Sequence, residues 1–157
     1  MDSATTEMNH EGKTALITGG AHRVGKAITL ALAAAGVNVV INYNTSDAPA
    51  EETMIKACSL GVDAMLAQAD VSDYTQVQAM FSAATERFGA VDILINSASK
   101  FRKTPLPTDN LEDWHTAIDV LVHGSFHCSN IVAPMMLDQG TGVIINIVDL
   151  LAWHPRP

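Results

Sequence analysis

Five short apolar runs recur along the chain, at 14–18, 37–42, 62–69, 91–96 and 143–148. Each is rich in Val, Ile, Leu or Ala at consecutive positions rather than alternating ones. That pattern predicts strands buried on both faces, as in a parallel sheet covered by helices. The stretches between them have helical spacing. Val77, Met80, Phe81, Ala84 and Phe88 fall on one helical face, with Ser72 placed to cap that helix. Gly36, Gly61, Gly89 and Gly140 stand where left-handed helix ends are needed. A long helical region at 111–137 contains Gly124 and Pro134 and is expected to bend or divide. Strand and helix alternate throughout, which predicts an α/β doubly wound parallel sheet in the order 3-2-1-4-5. The run at 143–148 would then form an open edge, leaving the sheet incomplete on its C-terminal side.

Composition narrows the class. Of 157 residues, 48% are apolar and 17% charged, enough for one domain with a real core and the opposite of a disordered chain. Nine basic against seventeen acidic residues give a net charge of −8. A nucleic-acid groove or an anionic membrane surface would need the other sign. Residues 1–12 read as a polar tail, not a secretory signal, and 13–157 as one dinucleotide-binding domain. The longest apolar stretch, 27–35, is too short to span a bilayer. Cys58 and Cys128 are isolated, which suits two small buried hydrophobes in a reducing cytoplasm.

Chemistry enters at the turn Thr18-Gly19-Gly20-Ala21-His22-Arg23-Val24-Gly25-Lys26-Ala27. Such a turn brings backbone N–H groups and a helix N-terminus close to phosphate oxygens. Two readings compete for it. Gly20 to Lys26 has the spacing of a triphosphate-binding loop, and Asp149 after the last apolar run resembles a magnesium-holding acid. That match lacks the hydroxyl needed at Ala27. The other reading is a dinucleotide turn with Arg23 in the place of the middle glycine. Asp70-Val71, Asn96-Ser97-Ala98-Ser99 and the 142–147 strand agree with it. Together these motifs resemble the short-chain dehydrogenase/reductase family from Gly12 onward, and the resemblance implies a Rossmann-type fold. Gly19, Arg23, Val24, Gly25, Asp70, Val71, Asn96 and Ala98 are the cofactor-binding residues it points to. The second apolar run ends Asn42-Tyr43-Asn44-Thr45-Ser46 without an acid. An acid there favours NAD, so Arg23, Asn44, Thr45 and Ser46 point to NADPH.

Within that family, Arg23, the Ser99/Phe101 pair and Asp149 resemble the pteridine reductase branch. The resemblance implies that Phe101 stacks a flat pterin ring and that Arg23 and Ser99 hydrogen-bond substrate and cofactor phosphates. Asp149 would help deliver a proton as hydride arrives. The plainer alternatives are that Phe101 covers its loop and Asp149 is a turn residue. The family's Tyr and Lys pair, four residues apart, is absent from these 157 residues, and Leu121 stands where the family carries Asn. The expectation is a fragment of an NADPH-dependent reductase of a pterin-like or related carbonyl substrate, inactive alone. A different class, a non-catalytic NADP(H)-binding sensor or partner subunit, fits the missing pair. The resemblance also implies a homo-oligomer, with 111–137 supplying half the interface. His115, Asp119, His123 and His127 form a helical stripe; zinc or a polar helix face both explain it, and no metal is expected.

Overall fold

The computed structural model describes residues 10–101 and 105–149. Five parallel strands form one sheet: β1 (Thr14–Ile17), β2 (Asn38–Tyr43), β3 (Ala64–Gln68), β4 (Ile93–Asn96) and β5 (Val143–Asn146). Their order is β3-β2-β1-β4-β5, as the alternating pattern predicts. β1 lies at the centre and is buried at all four positions. A strand covered on both faces needs an uninterrupted apolar run, and the first run supplies it.

The helices divide between the two faces. α1 (Arg23–Ala34) and α2 (Asp47–Ser59) cover one, closing over Ile17, Val39, Ile41 and Ile95. α3 (Tyr74–Phe88) and α5 (Ser125–Gln139) cover the other, where Leu16, Val40 and Leu94 meet Phe81, the largest fully buried side chain. The helical spacing read from Val77 to Ala84 is therefore the buried stripe of α3.

Two expectations are corrected and a third is made specific. Ser72 does not cap α3; Asp73 does, accepting from Thr75 and Gln76 N–H groups, while the Ser72 hydroxyl donates to Asp70. The long helical region does divide, as expected, though not at Pro134, which lies inside α5. It divides earlier: α4 (Glu112–Ile118) runs into one wide π-helical turn, Asp119–Gly124, before α5 begins. Cys58 is exposed rather than buried, whereas burial pushes the Cys128 thiol up to about 12. The run 112–139 is long and apolar enough to cross a membrane by length and composition. Its Cys128, Val132 and Met136 pack into the core beside β4.

The four glycines expected at helix ends, Gly36, Gly61, Gly89 and Gly140, all have φ between 69° and 92°. Residues Val143, Ile144 and Ile145 of β5 are 51%, 36% and 43% exposed, so the edge strand lacks the cover that β1 has.

The strands start from a polar anchor at the opposite end from the glycine turn. Asp92 accepts from Lys13 Nζ at 3.0 Å and from the Thr14 N–H at 2.9 Å. Thr14 is buried, so its N–H has nowhere else to go. Asp92→Ala is expected to cost about 1–2 kcal/mol, mostly from that orphaned donor. Urea denaturation should give a lower midpoint at unchanged slope; an unchanged midpoint would refute the anchor.

Candidate active site

The glycine turn leaves β1 at the carboxyl edge of the sheet, and buried side chains fix its path. Asn42, at the end of β2, accepts from the Gly19 N–H and donates to the carbonyls of Ala67 and Ala69. The Thr18 hydroxyl accepts from the N–H groups of Ser97 and Ala98 at 2.9 and 3.0 Å. On the helical side, the Thr29 hydroxyl reaches the Gly20 and Gly25 carbonyls. Thr53 of α2 holds the Ala21 carbonyl. All four side chains are at most 2% exposed. The turn's carbonyls are thus bonded into the protein, and α1 opens there with its N-terminal dipole end.

Two glycines make the cradle. A Cβ on Gly25 would lie 2.2 Å from the Gly19 carbonyl oxygen, and one on Gly19 would lie 2.9 Å from Ala98 Cα. Gly19 also has φ 62°. Arg23 explains itself the same way. It occupies the middle glycine's place and adopts φ 45°, the left-handed region that favours glycine.

The triphosphate-loop reading gains no support from the structure. Lys26, which would have to reach phosphate, is 3.2 Å from Glu52 on α2. Glu52 also binds Lys56 at 2.6 Å, and these hydrogen bonds hold its carboxyl below the usual range.

The turns after β2 and β3 meet beside the cradle. Asn44 is exposed, but its amide donates to Asp70 Oδ2 at 2.9 Å rather than facing outward alone. Asp70 Oδ1 accepts from the Ser72 N–H and hydroxyl. Burial opposes the Asp70 charge, yet the Ser72 and Asn44 bonds and the nearby Lys100 hold its carboxyl below the ordinary range. Val71 is buried against Gly124, where a Cβ would meet Val71 Cγ2 at 2.6 Å. The π-helical turn, with half-exposed Leu121 within it, is thereby pressed onto the Asp70-Val71 segment.

Asn96 is turned into the sheet. Its amide donates to Asn146 Oδ1 at 2.8 Å and Ser129 Oγ at 3.1 Å, locking β4 to β5 and α5. Its own Oδ1 is buried with no hydrogen-bond partner among the described residues. Val24, Thr45 and Ser99 are exposed at the carboxyl edge, and Ser46 is half-buried. Phe101 is 93% exposed, and Asp149 is exposed just beyond β5. In the histidine stripe, His123 pairs with Asp119 at 3.0 Å, and His127 Nδ1 lies 3.1 Å from the Val71 carbonyl oxygen.

Sequence reasoning missed Thr18, Asn42, Thr29 and Thr53. The signal was present for two of them: Thr18 and Asn42 are the polar residues that close the runs 14–18 and 37–42.

These residues fit a dinucleotide. The cradle that a Cβ would fill and the helix N-terminus behind it are suited to a pyrophosphate approached closely by backbone. The short chain dehydrogenase family model matches residues 13–156. The chain is 36% identical over 145 residues to 3-oxoacyl-[acyl-carrier-protein] reductase from Synechocystis sp., spanning 92% of this chain and 59% of that protein. The reductase of the same name from Staphylococcus aureus is 37% identical over the same shares. An uncharacterised oxidoreductase from Thermotoga maritima is 35% identical, over 94% of this chain and 57% of its own length. Among solved structures, NAD+-bound xylitol dehydrogenase superposes with a TM-score of 0.88 at 25% identity, across 94% of this chain and 57% of that one. The chain spans just under three fifths of the length of the relatives it matches. The reductases are named for 3-oxoacyl-carrier-protein substrates and not for a pterin, so the pteridine branch rests on Arg23, Ser99, Phe101 and Asp149 alone. From the glycine cradle to the last strand, the chain belongs to the short-chain dehydrogenase family.

Proposed function

We propose that this chain holds NADPH for a reductase acting on a flat pterin-like ring or a related carbonyl-type substrate. The cofactor choice is carried by one observation: β2 ends at Tyr43 and the chain continues Asn44-Thr45-Ser46 with no carboxylate for a ribose 2′-hydroxyl. Asp47, the next acid along, is the first residue of α2. Arg23 is exposed at the start of α1 and offers a guanidinium, the side chain best matched to a phosphate fork. Thr45 and Ser46 add hydroxyls beside the N-terminus of α2.

When bound, NADPH supplies the hydride. The chain's own residues bind and orient. Gly19, Val24 and Gly25 receive the pyrophosphate against α1, while Asp70, Val71 and Ala98 line the adjoining turns. Asn96 positions the β4 turn from within. On the substrate side, Phe101 presents an open aromatic face, with Ser99 and Arg23 as hydrogen-bonding neighbours. Asp149 moves a proton toward a ring nitrogen as the ring is reduced. No Tyr followed four residues later by Lys occurs in these 157 residues, so no step is assigned to that pair. Trp114, Val122 and Phe126 are exposed along the α4–α5 run, which supports assembly of copies through it.

The identity to two 3-oxoacyl-carrier-protein reductases favours a second reading, in which the substrate is a 3-oxoacyl thioester. NADPH consumption by the protein as its host makes it, with a dihydropterin and with a 3-oxoacyl thioester, separates the two. Turnover of the thioester alone would overturn the pterin reading. Cofactor binding without turnover of either would support a binding-only role.

Calorimetric titration tests the cofactor site directly. Gly25→Ala is expected to weaken NADPH and NADH alike by about tenfold or more, since overpacking of this kind costs about 1–3 kcal/mol. Arg23→Ala is expected to weaken NADPH by about tenfold, the scale of a lost charge-assisted hydrogen bond, and leave NADH within about twofold. Equal loss of both cofactors in Arg23→Ala would remove the phosphate role.

A further inference from the structure

Asn44 is the first residue beyond the paired part of β2. The β2–β3 ladder ends at Tyr43 opposite Gln68, followed by one last backbone bond from the Ala69 N–H to the Tyr43 carbonyl. Past that point a loop normally relies on water. Here β3 continues to hold it through side chains. Gln68 Nε2 donates to the Asn44 carbonyl at 3.0 Å, and the Asn44 amide donates to Asp70 Oδ2 at 2.9 Å.

Asp70 is itself fixed from behind. Its other oxygen takes the Ser72 N–H and hydroxyl, and its N–H donates to Gln76 Oε1 at 2.9 Å. Gln76 in turn donates to Asp73, the cap of α3. A rigid strand and a capped helix therefore grip Asn44 at two points, its carbonyl and its side chain. Thr45 and Ser46 follow immediately along the chain.

We infer that Gln68 is a specificity-determining positioning residue: with Asp70 it braces Asn44 and so presets the Thr45-Ser46 donors for a 2′-phosphate. This rests on the NADPH reading above. A phosphate needs several donors in fixed places, and ordering them before binding removes an entropy cost that a 2′-hydroxyl scarcely incurs. The Asn44 amide, with one hydrogen committed to Asp70, gives that carboxylate oxygen a donor and leaves it charged. Gln68 is exposed, so losing its bond changes loop order far more than fold stability.

The test titrates NADPH, NADH and 2′,5′-ADP into the unmodified chain and into Gln68→Met and Gln68→Glu. Met keeps the length and removes the donor; Glu keeps the shape and can only accept. Both are expected to weaken NADPH and 2′,5′-ADP by about fivefold, the scale of one net hydrogen bond, with NADH changed less than about twofold. If the unmodified chain prefers NADPH and the variants keep the same NADPH-to-NADH ratio, the brace is overturned and the cofactor reading stands. If the unmodified chain binds NADH as tightly as NADPH, the cofactor reading falls and the brace with it. Thermal unfolding of each variant within about 2 °C of the parent separates a selectivity loss from a folding defect, since about 1 kcal/mol moves a domain of this size by several degrees.

Discussion

The structure depends on how the carboxyl edge of the sheet disposes of its unpaired backbone groups. Where parallel strands end, N–H and C=O groups leave the ladder, and a buried one left alone costs about 1–3 kcal/mol. Two short side chains absorb that cost. Asn42 ties the Gly19 N–H to the Ala67 and Ala69 carbonyls across three strands. Thr18 ties the start of the glycine turn to the Ser97 and Ala98 N–H groups across to β4. Those two knots, with Thr29 and Thr53 on the helical side, set the path of the turn and the approach of Gly19 to Ala98 at the start of α1. A cradle built this way is formed before any ligand arrives, so binding spends little on ordering it.

Much of the architecture was legible because its causes are local. Strands buried on both faces must be apolar at consecutive positions, and all five runs became strands in the predicted order. Left-handed helix ends need glycine, and the four expected ones have positive φ. What escaped is non-local. Thr18 meets Ser97 and Ala98 some eighty residues along the chain, and no spacing rule connects them. One miss was local: Ser72 was expected to cap α3, but its hydroxyl donates to Asp70 and the next residue, Asp73, is the cap. Cys58 was misplaced because α2 carries few buried positions, namely Ala50, Thr53 and Ala57, and Cys58 lies just off that stripe.

The site divides into a part governed by geometry and a part governed by chemistry at its rim. The cradle is rigid, glycine-dependent and shared in outline with relatives that act on different molecules by name. At its rim stand Arg23 in a left-handed conformation, Asn44 held from β3, and the exposed Phe101 and Asp149. A left-handed arginine is strained, and strain kept at a site where glycine would be free needs a use for the side chain. The phosphate and substrate contact proposed above would be such a use.

The central claim is that the two knots preform the site in the cofactor-free chain. Amide hydrogen exchange measured by NMR on the chain without cofactor tests it most directly. The account predicts that the Gly19, Ser97 and Ala98 amides exchange as slowly as those of β1, although they lie in turns outside the ladder. Exchange of these three at the rate of open loops, with β1 still protected, would contradict it.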